Sequence, residues 1–273
     1  MEKKRILFIS QEINPFLTNS DVSSISRRLP QGIQEAGKEI RAFMPRYGSI
    51  NERRHQLHEV IRLSGMNLII NDVDHPLIIK VASVPQAKIQ VYFIDNEDFF
   101  KRKATVANDK GVYFTDNDER AMFFGRGVLE TVKKLGWKPD IIHCHGWLTA
   151  LTPLYVKKFY NKDPHFEDTK VVYSVYNDAF NKNWDPKFSD KLKFDGFAAE
   201  DVKGLKDVDF NTLTKMAIQM SDGVVQGSEE IDSKVKSMIK SSDTPFLEYY
   251  PEETCVKPMD EFYDQIIEEL VVK

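Results

Sequence analysis

Cysteine is nearly absent: Cys144 and Cys255 are the only two in 273 residues. One pair in a chain of this size is no disulfide framework, and free thiols in a reducing compartment are the simpler reading. Long hydrophobic runs are missing too, since no window approaches the roughly 20 apolar residues of a membrane span. The opening MEKKRILFIS places an apolar run behind basic residues. That run is too short for a secretory core, stops at Ser10, Gln11 and Glu12, and has no small-residue cleavage site. It reads as a buried first strand, and a soluble, cytoplasmic chain is expected. Nor is there a surplus of basic charge. Lys and Arg total 38 against 42 Asp and Glu, a net charge of −4, and the pI is about 5.9. Nucleic acid and anionic membrane both want a basic face, so neither is expected as a partner. There is no internal repeat and no low-complexity tract.

What is present is an ordinary globular composition, 41% hydrophobic and 29% charged. Short runs rich in Ile, Val and Phe mark strands at 5–10, 40–45, 90–95, 140–144, 171–175 and 223–226. Most are apolar on consecutive residues, as parallel strands covered on both faces must be. Val22, Ile25, Leu29, Ile33 and Ala36 step at helical spacing, and Gly37 supplies the stop. A second helix opens with Asp118 and Glu119, buries Phe124, Val128, Val132 and Leu135, and ends in Lys133, Lys134 and Gly136. Each charge stands where the helix dipole favours it. Strands alternating with such helices predict an α/β fold, a single Rossmann-like doubly wound and mostly parallel sheet. Residues 57–90 interrupt it with strand-like runs at 66–70 and 77–81 and polar turns such as 71–75, a small antiparallel excursion. Residues 181–210, polar and aromatic, read as a long loop insertion.

Several ordered motifs carry a family resemblance. ISQEINPF at 9–16 is followed after twelve residues by LPQGIQEAGKEIRAFMPRY at 29–47. Then come VYFIDNEDFF at 91–100, LGWKPDIIHCHGWLTAL at 135–151, VVYSVYNDAF at 171–180 and SDGVVQGSEE at 221–230. Together they resemble the amino-terminal half of bacterial glycogen synthases and plant starch synthases, from residue 5 to about residue 235. Ser10, Glu12, Pro15, Phe16, Leu29, Pro30, Gly37, Arg41, Pro45, Arg46 and Tyr47 fit the family's opening pattern without a gap. The resemblance implies a two-domain GT-B glycosyltransferase that extends an α-1,4-glucan from ADP-glucose. It also implies a second domain that supplies most nucleotide-sugar contacts and the catalytic carboxylate. Only 38 of the 273 residues follow position 235, too few for a second Rossmann domain. The expected division is 1–235 for the Rossmann-like domain and 236–273 for a connector and terminal helix.

Within the half that is present, the resemblance places altered residues at the donor site. The family's Lys-x-Gly-Gly loop falls on Thr18, Ser20 and Asp21. Thr18 carries no charge, Ser20 and Asp21 add Cβ atoms where backbone N–H groups approach a diphosphate, and Asp21 repels phosphate. The plainer reading is a helix N-cap from Asn19, Ser20 or Asp21. In the family's H-x-H-D-W-H stretch, Gly146 replaces the Asp and Leu148 the last His, and leucine cannot hydrogen-bond. The His-Asn pair after the next strand is Tyr176–Asn177. The resemblance and the strand-end positions nominate Glu12, Asn14, Tyr47, Asp95, His145, Trp147, Tyr176 and Asn177 for a ligand crevice. Trp147 and Tyr176 suit sugar C–H surfaces, or are simply core. No catalytic residue and no cofactor is assigned.

His143 and His145, two of six histidines, share one face of a strand. A metal site needs a third ligand at a plausible spacing, and none is apparent, so no metal is assigned. The expectation is one histidine beneath the sheet end and one on the crevice rim. Lys182, Trp184 and Lys187 form a cluster for a glucan or phosphate, or a solvated loop. Three functional readings stand. The first is a non-catalytic family member binding an α-glucan such as glycogen, or ADP-glucose weakly, with a protein partner or a second copy. The second is a transferase half completed by a separately encoded domain, and the third a metabolite-binding Rossmann module. Finally, Pro258 at a first helical position precedes Met259, Phe262, Tyr263, Ile266, Ile267 and Leu270 in one apolar stripe. Docking of this helix on the first domain is expected, as the last helix of GT-B enzymes does; the alternative is an interface with a second copy or another protein.

Overall fold

The computed structural model describes residues 3–18 and 20–268. Its strands are β1 (Arg5–Ser10), β2 (Glu39–Pro45), β3 (His58–Glu59), β4 (Met66–Ile70), β5 (Val73–Val84), β6 (Ile89–Asp95), β7 (Ile141–His145), β8 (Lys170–Val175), β9 (Gly223–Gln226) and β10 (Phe246–Leu247). They lie in the order β10-β9-β8-β7-β1-β2-β6-β5-β3, and β4 pairs with β5 off this path. From β10 to β6 every pairing is parallel. β5 runs antiparallel to β6, β4 and β3. The helices are α1 (Asp21–Glu35), one-turn α2 (Glu52–His55) and α3 (Glu97–Phe100), α4 (Asn117–Lys134), α5 (Leu151–Leu154), α6 (Phe188–Phe194), α7 (Phe210–Gln219), α8 (Ser233–Lys240) and α9 (Val256–Glu268).

The consecutive apolar runs become central parallel strands for a simple reason: both faces are covered. Ile6, Leu7, Phe8 and Ile9 of β1 are all buried, as is every residue of β7. α1 lays Val22, Ile25, Leu29 and Ile33 on the sheet and tolerates the buried Pro30 in its interior, at the loss of one helical N–H. Gly37 follows at φ 102, the left-handed conformation that glycine adopts without strain.

Three expectations shift. The turn expected over 71–75 is tighter, because Asn71 and Asp72 both take positive φ (49° and 64°) and close a two-residue hairpin. Residues 73–75 therefore belong to β5. The stretch 181–210 contains α6, held to the start of α4 by Lys191, whose ammonium meets Asp118 (2.7 Å), Glu119 (2.8 Å) and Asp185 (3.0 Å). α9 begins at Val256, two residues ahead of Pro258, since an N–H in the first turn has no helical acceptor to lose.

α9 buries Met259, Phe262, Tyr263 and Ile266, while Leu270 lies outside the described residues. Gly32 of α1 leaves room for Val256, and Gly223 of β9 for Phe262 and Ile266. Lys38 closes the contact with ion pairs to Asp260 (2.6 Å) and Asp264 (2.9 Å). At about 1.5–3 kcal/mol per fully buried side chain, this face contributes several kcal/mol.

Candidate functional site

The chain runs from β1 through β2 to β6 on one side, then returns to β7 on the other side of β1. The carboxyl edge at such a reversal is where open α/β sheets hold ligands. Gln11 leaves β1 there; its N–H donates to the His145 carbonyl (3.0 Å) and its Oε1 accepts from the Leu148 N–H (3.1 Å). Gly146 follows β7 at φ 86, and an added Cβ would lie 3.1 Å from Gln11 and 3.3 Å from Asp178 Oδ2. The dihedral calls for glycine at this position, and a side chain would also have to push Gln11 and Asp178 aside by a few tenths of an ångström. Asp178 Oδ2 accepts from the Trp147 N–H (3.2 Å). Burial pushes the Asp178 carboxyl up to about 7, against the backbone N–H bonds and with help from the Glu12 charge.

The β1–α1 loop folds onto the first turn of α1. Ser20 is the N-cap: its Oγ accepts from the Ser23 N–H (3.1 Å), and Ser23 Oγ accepts from the Ser20 N–H (3.3 Å). The Ser20 hydroxyl donates onward to Glu12 Oε2 at 2.6 Å. The Asn14 N–H donates to the Ser23 carbonyl (3.0 Å). Asp21 opens the helix and accepts from Ser228 Oγ (2.8 Å), which in turn accepts from the Asn177 N–H (3.2 Å). The ends of β8 and β9 are thus tied to the start of α1. The helix dipole there favours an anion, and carboxylates of the chain itself, Glu12 and Asp21, already stand beside it.

Of the eight residues nominated for the crevice, Glu12, Asn14 and Asn177 reach solvent. Tyr47, Asp95, His145, Trp147 and Tyr176 are at most 3% exposed. Asp95 pairs with Arg46 (2.9 Å) and Lys80 (3.2 Å). Tyr47 stands edge-on to Phe100 with the Arg120 guanidinium over its ring. Trp147 is enclosed by Tyr113, Phe180 and Trp184, so its faces meet protein and not solvent. Tyr176 turns inward over Gly227, where a Cβ would overlap its ring, and its hydroxyl meets His145 Nδ1 at 2.7 Å.

The two histidines do not divide between core and rim. Both are fully buried with ring centroids 3.9 Å apart, because residues two apart on a strand face the same way and that face is roofed. His143 Nδ1 meets the Tyr263 hydroxyl (2.5 Å) and Nε2 the Ser174 hydroxyl (2.7 Å). Burial pushes His145 down to about 3 and lowers His143 too, where the neighbouring His145 adds to the effect. No group of three or more His, Cys, Asp or Glu suited to a metal occurs among the described residues.

At the altered positions, Thr18 is exposed, Ser20 caps, Asp21 faces Ser228, and Leu148 is buried in the core. Trp184 is buried while Lys182 and Lys187 are exposed, so the cluster presents its cations without its ring. Gln11, Asp178 and Ser228 were not singled out from the sequence. Each is a polar residue just past the end of an apolar parallel strand, which is the signal that finds them.

Residues 5–241 match the family of starch synthase catalytic domains. The glycogen synthase of Chlorobium limicola is 42% identical over 174 residues, covering 63% of this chain and 36% of that protein. The glycogen synthase of Chlorobaculum tepidum is 38% identical over 221 residues, covering 77% and 45%. The fold matches the catalytic domain of starch synthase IV from Arabidopsis thaliana bound to ADP and acarbose, with a TM-score of 0.72, 18% identity, and coverage of 90% of this chain and 51% of that one. The chain spans between about a third and a half of the length of the glycogen synthases it matches. No helix among the described residues is long and apolar enough to cross a membrane. Matched over most of its length and built on the same parallel sheet, the chain belongs to the glycogen and starch synthase family, as a Rossmann-like domain of the GT-B glycosyltransferase fold.

Proposed function

We propose that this chain serves α-glucan metabolism without transferring glucose itself, as a domain that holds a glucan or a protein partner. One observation carries the reading: the anion-seeking start of α1 is capped by Ser20 and flanked by Glu12 and Asp21. A diphosphate brought there meets carboxylates instead of the lysine that the family resemblance puts at Thr18. Like charges at close range in a partly desolvated site repel strongly. Asp178, bonded to the Trp147 N–H, adds a third carboxyl to the same edge. Leu148 removes a hydrogen-bonding group that the resemblance places near the donor sugar, and its side chain is spent on the core. A neutral glucan is the ligand this edge tolerates, with Glu12, Asn14 and Asn177 as its solvent-facing contacts.

The test is incubation of the pure protein with labelled ADP-glucose and glycogen, alongside calorimetry with ADP, ADP-glucose and maltooligosaccharides. The expected result is no incorporation above a boiled control and no measurable ADP-glucose heat, with glucan binding weakened by Asn177→Ala. Incorporation that Asp178→Asn abolishes, or micromolar ADP-glucose affinity, overturns the reading.

A further inference from the structure

At the opposite, amino-terminal edge of the sheet lies a groove of about 390 Å³ between the starts of β2 and β6 and the β5–β6 turn. It has the size of a small-molecule site, which spans about 300–1,000 Å³. Two cations line it, Arg41 and Lys88, and no carboxylate does. In a chain of net charge −4, two positive side chains share this one groove without an acid among its lining residues.

Arg41 is fixed in place. Its guanidinium lies over the rings of Trp137 (5.2 Å) and Tyr92 (5.8 Å), and Nη1 donates to the Tyr92 hydroxyl (2.8 Å). Its Nε is buried without a hydrogen-bond partner. Glu39, two residues away on β2, is engaged by Arg5 (3.5 Å) and by the Trp137 indole N–H (2.5 Å). Lys38 is taken by Asp260 and Asp264. Lys88 stands exposed at the end of the turn. Around the two cations, Gln34, Ser83 and Gln90 offer amide and hydroxyl groups.

We propose that this groove binds a phosphoryl group, of a small phosphate monoester or of free phosphate. Arg41 supplies a guanidinium charge held in place by the Trp137 and Tyr92 rings, and Lys88 a mobile point charge. Gln34, Ser83 and Gln90 receive the hydroxyls of an esterified moiety. The site is remote from the start of α1, so it stands or falls independently of the function proposed above.

NMR titration of the whole chain with inorganic phosphate, glycerol 3-phosphate and glycerol tests it. Saturable shifts at the amides of residues 88–90 are expected with both phosphates and not with glycerol. Tighter binding of glycerol 3-phosphate identifies the monoester as the ligand, and equal binding identifies the phosphoryl group alone. Lys88→Gln, at an exposed turn, weakens binding at least about fivefold. Arg41→Lys keeps the charge and loses the planar group that the rings hold in place, and weakens it as well. Lys187→Gln, on an exposed loop elsewhere, leaves it unchanged. No saturable shift, or equal weakening by Lys187→Gln, overturns the proposal, the latter by reducing it to diffuse charge.

Discussion

The Tyr263 hydroxyl and His143 Nδ1 meet at 2.5 Å with both residues fully buried, joining the terminal helix to the middle of the sheet across 120 positions of sequence. Ser174 satisfies the other imidazole nitrogen, so the ring is bonded on both sides. Tyr263→Phe keeps the ring's packing and strips one partner from a buried polar atom, which costs about 1–3 kcal/mol. Urea unfolding is expected to show a lower midpoint at unchanged slope. An unchanged midpoint means that the bond contributes nothing net.

Lys191 supports a second prediction. Its ammonium is the shared counter-ion of Asp118, Glu119 and Asp185, and Asp118 is completely buried. Burial raises the Asp118 carboxyl; it pulls the Lys191 ammonium down, but the bonds to Asp118, Glu119 and Asp185 outweigh it and hold Lys191 above its ordinary value. Lys191→Met leaves an uncompensated buried carboxylate and costs about 3–5 kcal/mol. Asp118→Asn added to Lys191→Met recovers part of that loss, because the stranded charge is gone. A single variant as stable as the parent, measured in the same urea series, refutes the account.

The sheet was legible because parallel strands covered on both faces leave a plain mark, consecutive apolar residues, and the runs at 5–10 and 223–226 coincide with β1 and β9. The side chains around its carboxyl edge were less legible. Tyr47, His145, Trp147 and Tyr176 sit at strand ends, where sequence gives position along the strand but not what roofs it. The roof comes from segments far away: Phe180 and Trp184 over Trp147, Tyr263 over His143 and Tyr176 over His145. Gln11 and Asp178 act through bonds to the N–H groups of Leu148 and Trp147, long-range pairings that no local periodicity encodes. α6 was hidden for the opposite reason: its anchor, Lys191, is a charged residue whose burial depends on three acids, two of them on the distant α4.

The buried imidazoles give the protein an acid-sensitive stability. His145 is held at about 3 in the fold and titrates near 6.5 when unfolded. Below about pH 6.5 the unfolded chain takes up a proton that the native state refuses, so stability falls with pH. His143 acts in the same direction. Asp178 acts in the other, since its carboxyl at about 7 keeps a proton in the fold that the unfolded chain, near 3.9, has released. Between about pH 4 and 6.5 the His145 and Asp178 protons offset each other, and His143 tips the balance toward the unfolded state. The urea midpoint is expected to fall from pH 7 to pH 5. Asp178→Asn is expected to raise it at pH 8 and to steepen the decline. A flat profile contradicts both.

The last prediction concerns what blocks an anion at the start of α1. If only the missing lysine mattered, Thr18→Lys would restore ADP binding. The geometry expects it not to, because Glu12 holds the Ser20 hydroxyl at 2.6 Å and Asp21 opens the helix. A lysine added there meets two carboxylates at close range and is neutralised before any phosphate arrives. Removing the acids is the more effective change. Glu12→Gln with Asp21→Asn keeps acceptors for the Ser20 and Ser228 hydroxyls and leaves the dipole's positive end uncovered, worth about 0.3–1 kcal/mol to an anion. Adding Thr18→Lys to that pair supplies the charge in a site now free to use it. Calorimetry with ADP is therefore expected to show no binding for the parent or for Thr18→Lys alone, and measurable, salt-sensitive binding for the triple variant. Binding by Thr18→Lys alone would show that the carboxylates are bystanders and that the loop is open to phosphate as it stands.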